Sequence, residues 1–324
     1  MPDREVSSRT LSTNGVELHL VEAGEGPVVL LAHGFPELAY SWRHQLPALA
    51  EAGYRVVAPD QRGYGRSSRP EAIEDYDIHH LVGDLIGVLD DLEADQAVVV
   101  GHDWGSMVVS YLTMLHPKRV RGLVNLSVPH LTRGGAAPIA AMQQAIGDNF
   151  FYILYFQQPG VADAELGADP ARTMRRMLAG AAWRPEAPPD PSVFANDGRG
   201  FVERMPEPES LPAWLAPAEL DHYVEEFRRT GFTGGLNWYR NFDRNWETTA
   251  ELDGAVVKVP SLFVGGALDP VLLMSPPGVA HPSLSDHRGD VVVADAGHWV
   301  QQEAPGEVNA ALIGFLDDVC RDRS

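Results

Sequence analysis

Apolar and polar positions follow three rhythms along this 324-residue chain. Residues 16–22 (Val-Glu-Leu-His-Leu-Val-Glu) alternate with a period of two, the mark of a half-exposed antiparallel strand. Val28–Ala32 is instead a short, unbroken apolar run, and Tyr54–Ala58, Val98–Val100, Val120–Leu126 and Val256–Gly265 also read as short, mostly apolar strands, as strands covered on both faces require. Asp290–Ala294 reads as the last strand. Between the strands, apolar residues recur at helical spacing. Trp42, Leu46, Leu49 and Ala50 form one such face, closed at Gly53; Ile78, Leu81, Val82, Leu85, Val88, Leu89 and Leu92 form another. A third starts at Met107 and Val108, and a closing helix runs from about Pro305 to Val319.

The alternation breaks off once. Residues 131–250 carry helical and loop patterns without a convincing strand, and the proline-rich stretch from Pro185 to Pro217 is expected to be mostly irregular. The pattern predicts an α/β fold, a mostly parallel sheet flanked by helices, with its first part in residues 1–130 and its second in 251–324. Residues 131–250 then form a mainly helical insertion. Ligands of such sheets bind outside the carboxyl ends of the strands, and the insertion is placed to cover that edge as a lid.

Composition narrows the partners. The net charge of −20 argues against a polyanionic partner such as nucleic acid. Cys320 is the only cysteine, so there is no disulfide framework and no cysteine-based metal site. The polar start Met1-Pro2-Asp3-Arg4-Glu5 has no apolar signal region behind it, and no run approaches the ~18 apolar residues of a membrane span. The expectation is a cytoplasmic globular protein. A homodimer through the lid is compatible with the sequence, though no stretch demands one.

The chemistry centres on Val98-Val99-Val100-Gly101-His102-Asp103-Trp104-Gly105-Ser106, a strand, a sharp turn and the start of a helix. Small neighbours there let the backbone bend and expose one side chain, the nucleophile elbow. The exposed residue is aspartate where an esterase carries serine. An aspartate merely capping the next helix would look the same locally, so the decision rests on partners. Asp269 follows the run ending in Gly265-Gly266, and His298 follows the last strand in Gly297-His298-Trp299. Nucleophile, acid and histidine thus occur in the order expected of the hydrolase elbow, each just after a strand.

A carboxylate attacking an sp³ carbon leaves an alkyl ester, which water can cleave at the enzyme's own carbonyl. The electrophile is then an epoxide or an alkyl halide. His298, oriented by Asp269, would deprotonate the water. The backbone N–H groups of Trp104 and Phe35 are placed to hold the oxyanion, each worth ~10²–10³ in rate. An epoxide needs a phenol to meet its alkoxide, and from the residues alone Tyr152, Tyr155, Tyr223 and Tyr239 remain equal candidates.

His33-Gly34-Phe35-Pro36, Asp60-Gln61-Arg62-Gly63-Tyr64-Gly65, Gly101-His102-Asp103-Trp104-Gly105, Tyr155-Phe156-Gln157, Gly231–Asn241 and Gly297-His298-Trp299 together resemble the soluble-type epoxide hydrolases of the α/β-hydrolase fold. The resemblance covers nearly the whole chain after the first ten or so residues, and the two lid motifs are its most specific part. It implies that Tyr152 and Tyr239 are the epoxide-binding pair, with Tyr155 in a packing role. It also implies that Asp103 is the nucleophile, that Asp269 and His298 form the charge pair, and that the Phe35–Pro36 peptide is cis. The expected partners are a small epoxide and water, with no metal and no cofactor. The nearest rival is a haloalkane or haloacid dehalogenase, with Trp104 as one halide donor and Trp183, Trp214 or Trp238 as a second. A ligand-binding receptor on a hydrolase scaffold is a more distant alternative.

Overall fold

The computed structural model describes residues 6–180 and 191–320. Eight strands form one sheet: β1 (Ser7–Thr13), β2 (Val16–Ala23), β3 (Val28–Ala32), β4 (Arg55–Pro59), β5 (Ala97–His102), β6 (Val120–Leu126), β7 (Val257–Gly266) and β8 (Leu284–Val293). Their spatial order is β1-β2-β4-β3-β5-β6-β7-β8. The two junctions that involve β2 are antiparallel and all others are parallel.

Every residue of β5 is buried, which explains its unbroken apolar run. Side chains alternate across the sheet, so Val99 joins the core beneath one face and Val98 and Val100 the core beneath the other. The first core is covered by α2 (Ile78–Asp91) and α3 (Trp104–Leu115), the second by α1 (Gln45–Glu51) and the closing α14 (Pro305–Cys320). A single helix up to Gly53 was the expectation from the sequence; the chain instead forms a 3₁₀ turn, Ala39–Trp42, and then α1.

Two departures lie at the sheet's edges. β1 has almost no apolar pattern, and its residues are mostly exposed or half-buried, so hydrophobic periodicity does not reveal it. It is held by the Asn14-Gly15 hairpin turn, whose φ values of 47° and 75° suit the left-handed geometry of a two-residue loop. β8 begins at Leu284, six residues before the expected start, because Ser285, Asp286, His287 and Arg288 are polar residues on an open edge. This strand is also irregular: Ser261 pairs with His287 and Phe263 with Asp290, two steps against three, with Gly289 at φ 131°.

Between β6 and β7 the described elements are all helical: α4 (Pro138–Ile146), α5 (Tyr152–Tyr155), α6 (Val161–Ala168), α7 (Pro170–Gly180), α8 (Phe201–Arg204), α9 (Pro217–Thr230), α10 (Thr233–Arg240) and α11 (Phe242–Thr248), with short 3₁₀ turns. The proline-rich stretch contributes one 3₁₀ turn, Pro191–Phe194, and α8; its residues 185–190 fall outside the described chain. Polar contacts fasten this segment to the sheet layers. Trp238 donates its indole N–H to the Arg62 carbonyl at 3.1 Å, and Asn245 accepts from the Ile78 amide at 2.7 Å, at the start of α2. Two short helices, α12 (Pro270–Met274) and α13 (Val300–Glu303), follow β7 and precede α14.

Candidate active site

Asp103 stands between β5 and α3 with φ 52° and ψ −120°, a left-handed conformation that costs a non-glycine residue energy and turns its side chain out of the strand. The bend is tight enough to exclude any side chain around it. A Cβ at Gly101 would collide with the Gly105 backbone, and one at Gly34 with the Asp103 carboxylate. The Asp103 amide donates to Leu126 O of β6 at 3.2 Å, so the neighbouring strand fixes the elbow.

Each oxygen of the Asp103 carboxylate has its own neighbour. The Phe35 amide donates to Oδ1 at 2.8 Å, and His298 Nε2 lies 3.5 Å from Oδ2. Phe35–Pro36 is cis. His33 anchors this turn from beneath: it is buried, its Nδ1 bonds Gly34 O at 2.9 Å, and its Nε2 accepts the Gln61 amide at 3.0 Å. That pattern requires a neutral ring with the proton on Nδ1, and burial pushes its pKa down in the same sense. Trp104 follows Asp103 directly as the first residue of α3.

On the other side of His298, Nδ1 faces Asp269 Oδ2 at 3.0 Å. Asp269 is buried, and its other oxygen accepts the Val271 amide at 2.8 Å as the cap of α12. Burial alone would lower the His298 pKa, but the carboxylates of Asp269 and Asp103 outweigh it and push the imidazole well above its ordinary value. Asp103, His298 and Asp269 therefore form one continuous line of contacts at the carboxyl edge of the sheet.

The tyrosines separate by their hydroxyl partners. Tyr155 donates to Glu165 Oε2 at 2.9 Å, and Tyr223 bonds Ser41 at 2.7 Å and Gln302 at 3.1 Å. Tyr152 opens α5 and Tyr239 lies near the end of α10; their rings meet edge to face at 6.0 Å. Burial first, and the Asp103 carboxylate second, push both phenols up from their ordinary pKa, so both keep their protons. Tyr239 is also held by ring contacts with Phe35 (5.4 Å) and Trp104 (5.1 Å).

The backbone carrying these two tyrosines is tied together. Gln157 donates its amide to Ile153 O at 2.9 Å and to Tyr239 O at 3.0 Å. Arg240 donates to Phe156 O at 3.1 Å and Asn237 Oδ1 at 2.8 Å, and pairs with Asp163 at 2.5 Å. Of the tryptophans considered as halide donors, Trp238 spends its N–H on Arg62 O, and Trp183 lies outside the described residues. Trp214 sits half-buried in the loop before α9.

Several residues that support His298 had no assigned role in the sequence. His102 places Nδ1 against Glu37 Oε2 at 2.5 Å and Nε2 against the His298 carbonyl at 2.7 Å. Glu37 is fully buried, which would raise its carboxyl, yet His102 outweighs this and holds it at about 2. Gln301 and Gln302 bond its second oxygen at 2.8 and 3.3 Å. Ser127 adds a hydrogen bond to His298 O at 2.6 Å, and Glu303 clamps the amides of Gly297 and Trp299, both at 2.8 Å. The only signal for the first pair is position: Glu37 directly follows His33-Gly34-Phe35-Pro36, and His102 lies inside Gly101-His102-Asp103-Trp104-Gly105.

Comparison with known proteins agrees with this geometry. The family described as alpha/beta hydrolase fold matches residues 27–305. Epoxide hydrolase A of Mycobacterium tuberculosis is 60% identical over 316 residues, covering 96% of this chain and 97% of that protein. This chain belongs to the epoxide hydrolases of the alpha/beta hydrolase fold. Epoxide hydrolase 2 of the plant Siraitia grosvenorii is 41% identical, covering 96% of this chain and 98% of its own. The crystal structure of epoxide hydrolase A from Mycobacterium thermoresistibile superposes on this epoxide hydrolase with a TM-score of 0.92 and 57% identity, over 96% of this chain and 98% of that one. No described helix is long and apolar enough to cross a membrane.

Proposed function

We propose that the chain hydrolyses a small epoxide to a vicinal diol in two covalent steps, with Asp103 as the nucleophile. The reading is carried by one observation: the Asp103 carboxylate meets the Phe35 amide on Oδ1 and His298 on Oδ2, and its charge acts on both Tyr152 and Tyr239. In the first step Oδ2 attacks a ring carbon with inversion. The carbon–oxygen bond breaks, and the departing alkoxide takes a proton from Tyr152 or Tyr239 while the other phenol donates a hydrogen bond. An alkoxide is more basic than an ordinary phenolate, and the hydrogen bond from the second phenol favours the transfer further.

The second step follows from the loss of charge in the first. Once Asp103 is an ester, one of the two carboxylates that raise the His298 pKa is gone, and the imidazole gives up its proton more readily, to the phenolate left by the first step, which restores the phenol. His298 then takes a proton from water, whose oxygen adds to the ester carbonyl. Oδ1 becomes the oxyanion, facing the Phe35 amide, with the Trp104 amide as second donor. Collapse expels the diol oxygen, which takes the proton held by His298, and the proton of the new carboxylic acid passes back to His298, so the carboxylate and the starting imidazole state are both restored. The helical segment 131–250 acts as the lid that brings the phenols to the carboxylate and sheds water from the site, on a core formed by residues 1–130 and 251–324. No metal or cofactor takes part. A halide-releasing reaction that uses Trp238 as second donor is disfavoured because that indole is committed to Arg62 O, whereas the Asp103 carboxylate acts on both Tyr152 and Tyr239.

The test is His298→Gln with styrene oxide, quenched and analysed by mass spectrometry. An adduct of substrate mass on the peptide carrying Asp103, with diol release stopped, is the expected result. Wild-type turnover in that variant, or bromide release from a bromoalkane without diol from the epoxide, would overturn the scheme.

A further inference from the structure

Away from the elbow, His281, His287 and Asp290 are the group among the described residues whose metal-ligating atoms all lie within 4.8 Å of one another. The irregularity in β8 creates this cluster. In a regular strand, residues 287 and 290 point to opposite faces. The extra residue opposite β7, with Gly289 at φ 131°, returns Asp290 to the side of His287, whose Nε2 lies 2.8 Å from Asp290 Oδ1. His281 comes from the 3₁₀ turn His281–Ser283 just before the strand, and its Nε2 meets Asp290 Oδ2 at 2.9 Å. The two imidazoles stand 4.5 Å apart.

The far nitrogen of His287 is also provided for. Its Nδ1 faces Ser261 Oγ of β7 at 3.3 Å. A hydroxyl there can accept the Nδ1 proton and so leave the Nε2 lone pair free for a cation, the arrangement that orients histidine ligands in metal sites.

We propose that His281, His287 and Asp290 bind one late-transition-metal dication, zinc by preference, at the outer edge of the sheet. Two imidazole nitrogens and one carboxylate suit zinc, nickel or copper; magnesium and calcium favour sites built of oxygen. Zinc–ligand bonds of about 2.0 Å in a tetrahedron hold neighbouring ligand atoms roughly 3.3 Å apart, so the two histidine–carboxylate contacts would open slightly and the widest pair, within 4.8 Å, would close. Water completes the coordination. The ion pins the turn before β8 to the strand, on a surface distinct from the Asp103 site and without a part in the proposed reaction.

The experiment is isothermal titration of zinc chloride into the full chain after chelator treatment and dialysis. One saturable ion per chain is expected for the wild type and for His116→Ala, an exposed histidine elsewhere. In the folded His281→Ala/His287→Ala double variant that site should weaken by more than ~10-fold. Asp290→Asn, which keeps hydrogen bonding to the imidazoles but loses the charge, should weaken it too. Cobalt(II) absorption gives a second readout, with a low-coordinate spectrum in the wild type that the double variant lacks. Identical isotherms for the wild type and the double variant, or no saturable site in the wild type, would overturn the proposal.

Discussion

The sheet edge and the helical segment above it place their reactive groups by different means. At the sheet edge, Asp103, Asp269 and His298 each follow a strand that is hydrogen-bonded into a continuous ladder, and the topology alone brings them to one place. In the helical segment no ladder exists. Tyr152 sits on a helix of four residues, too short to hold itself, and its position depends on the side-chain bonds of Gln157 and Arg240 and on ring packing. Positions set by the backbone depend on the small residues at the bend, such as Gly34 and Gly101; positions set by side chains shift when one bridging side chain is removed.

Substitutions can break or sharpen that contrast. The largest effect is expected for Asp103→Ala, which removes the attacking oxygen and should lower kcat by at least ~10⁴-fold with little change in fold, read by diol formation and circular dichroism. Tyr152→Phe or Tyr239→Phe should each slow ring opening by ~10²-fold and ester hydrolysis much less, as resolved by single-turnover kinetics. Equal slowing of both steps would mean that the phenols act on more than the alkoxide. Asp103→Asn removes one of the two carboxylates that raise the His298 pKa, so the imidazole should titrate at lower pH than in the wild type, followed by its NMR ring resonances. The smallest effect is expected from Gln157→Ala. Loss of two hydrogen bonds to carbonyls should cost about 1–3 kcal/mol, lower the melting temperature by a few degrees and slow ring opening on both phenols together.

The same contrast explains what could be read in advance. Asp103 and Asp269 stood out because buried strands announce themselves as apolar runs, and the residue after such a run lands at the sheet's edge; His298 follows the Val291–Val293 end of the edge strand β8. The tyrosines were not separable by pattern, since all four lie in amphipathic stretches. Only the hydroxyl partners Glu165, Ser41 and Gln302 distinguish Tyr155 and Tyr223 from the other two. Glu37 and Glu303 stayed hidden for another reason: each acts on a segment's backbone or on residues far along the chain, as in the contact of Glu37 with Gln301, 264 positions away. No local spacing encodes such a contact. β1 escaped because an exposed edge strand carries no apolar signature, although Asn14-Gly15 is a hairpin signal in its own right.

The bridge from Gln157 to Tyr239 O has a consequence for selectivity. Because one amide spans the backbone of both lid motifs, the two phenols travel as a single carriage when the segment breathes. Under the proposed mechanism such a carriage would grip the oxygen of different epoxides in the same way. The choice between the two ring carbons then falls to the walls on either side, and reshaping those walls would redirect the attack without retuning the grip.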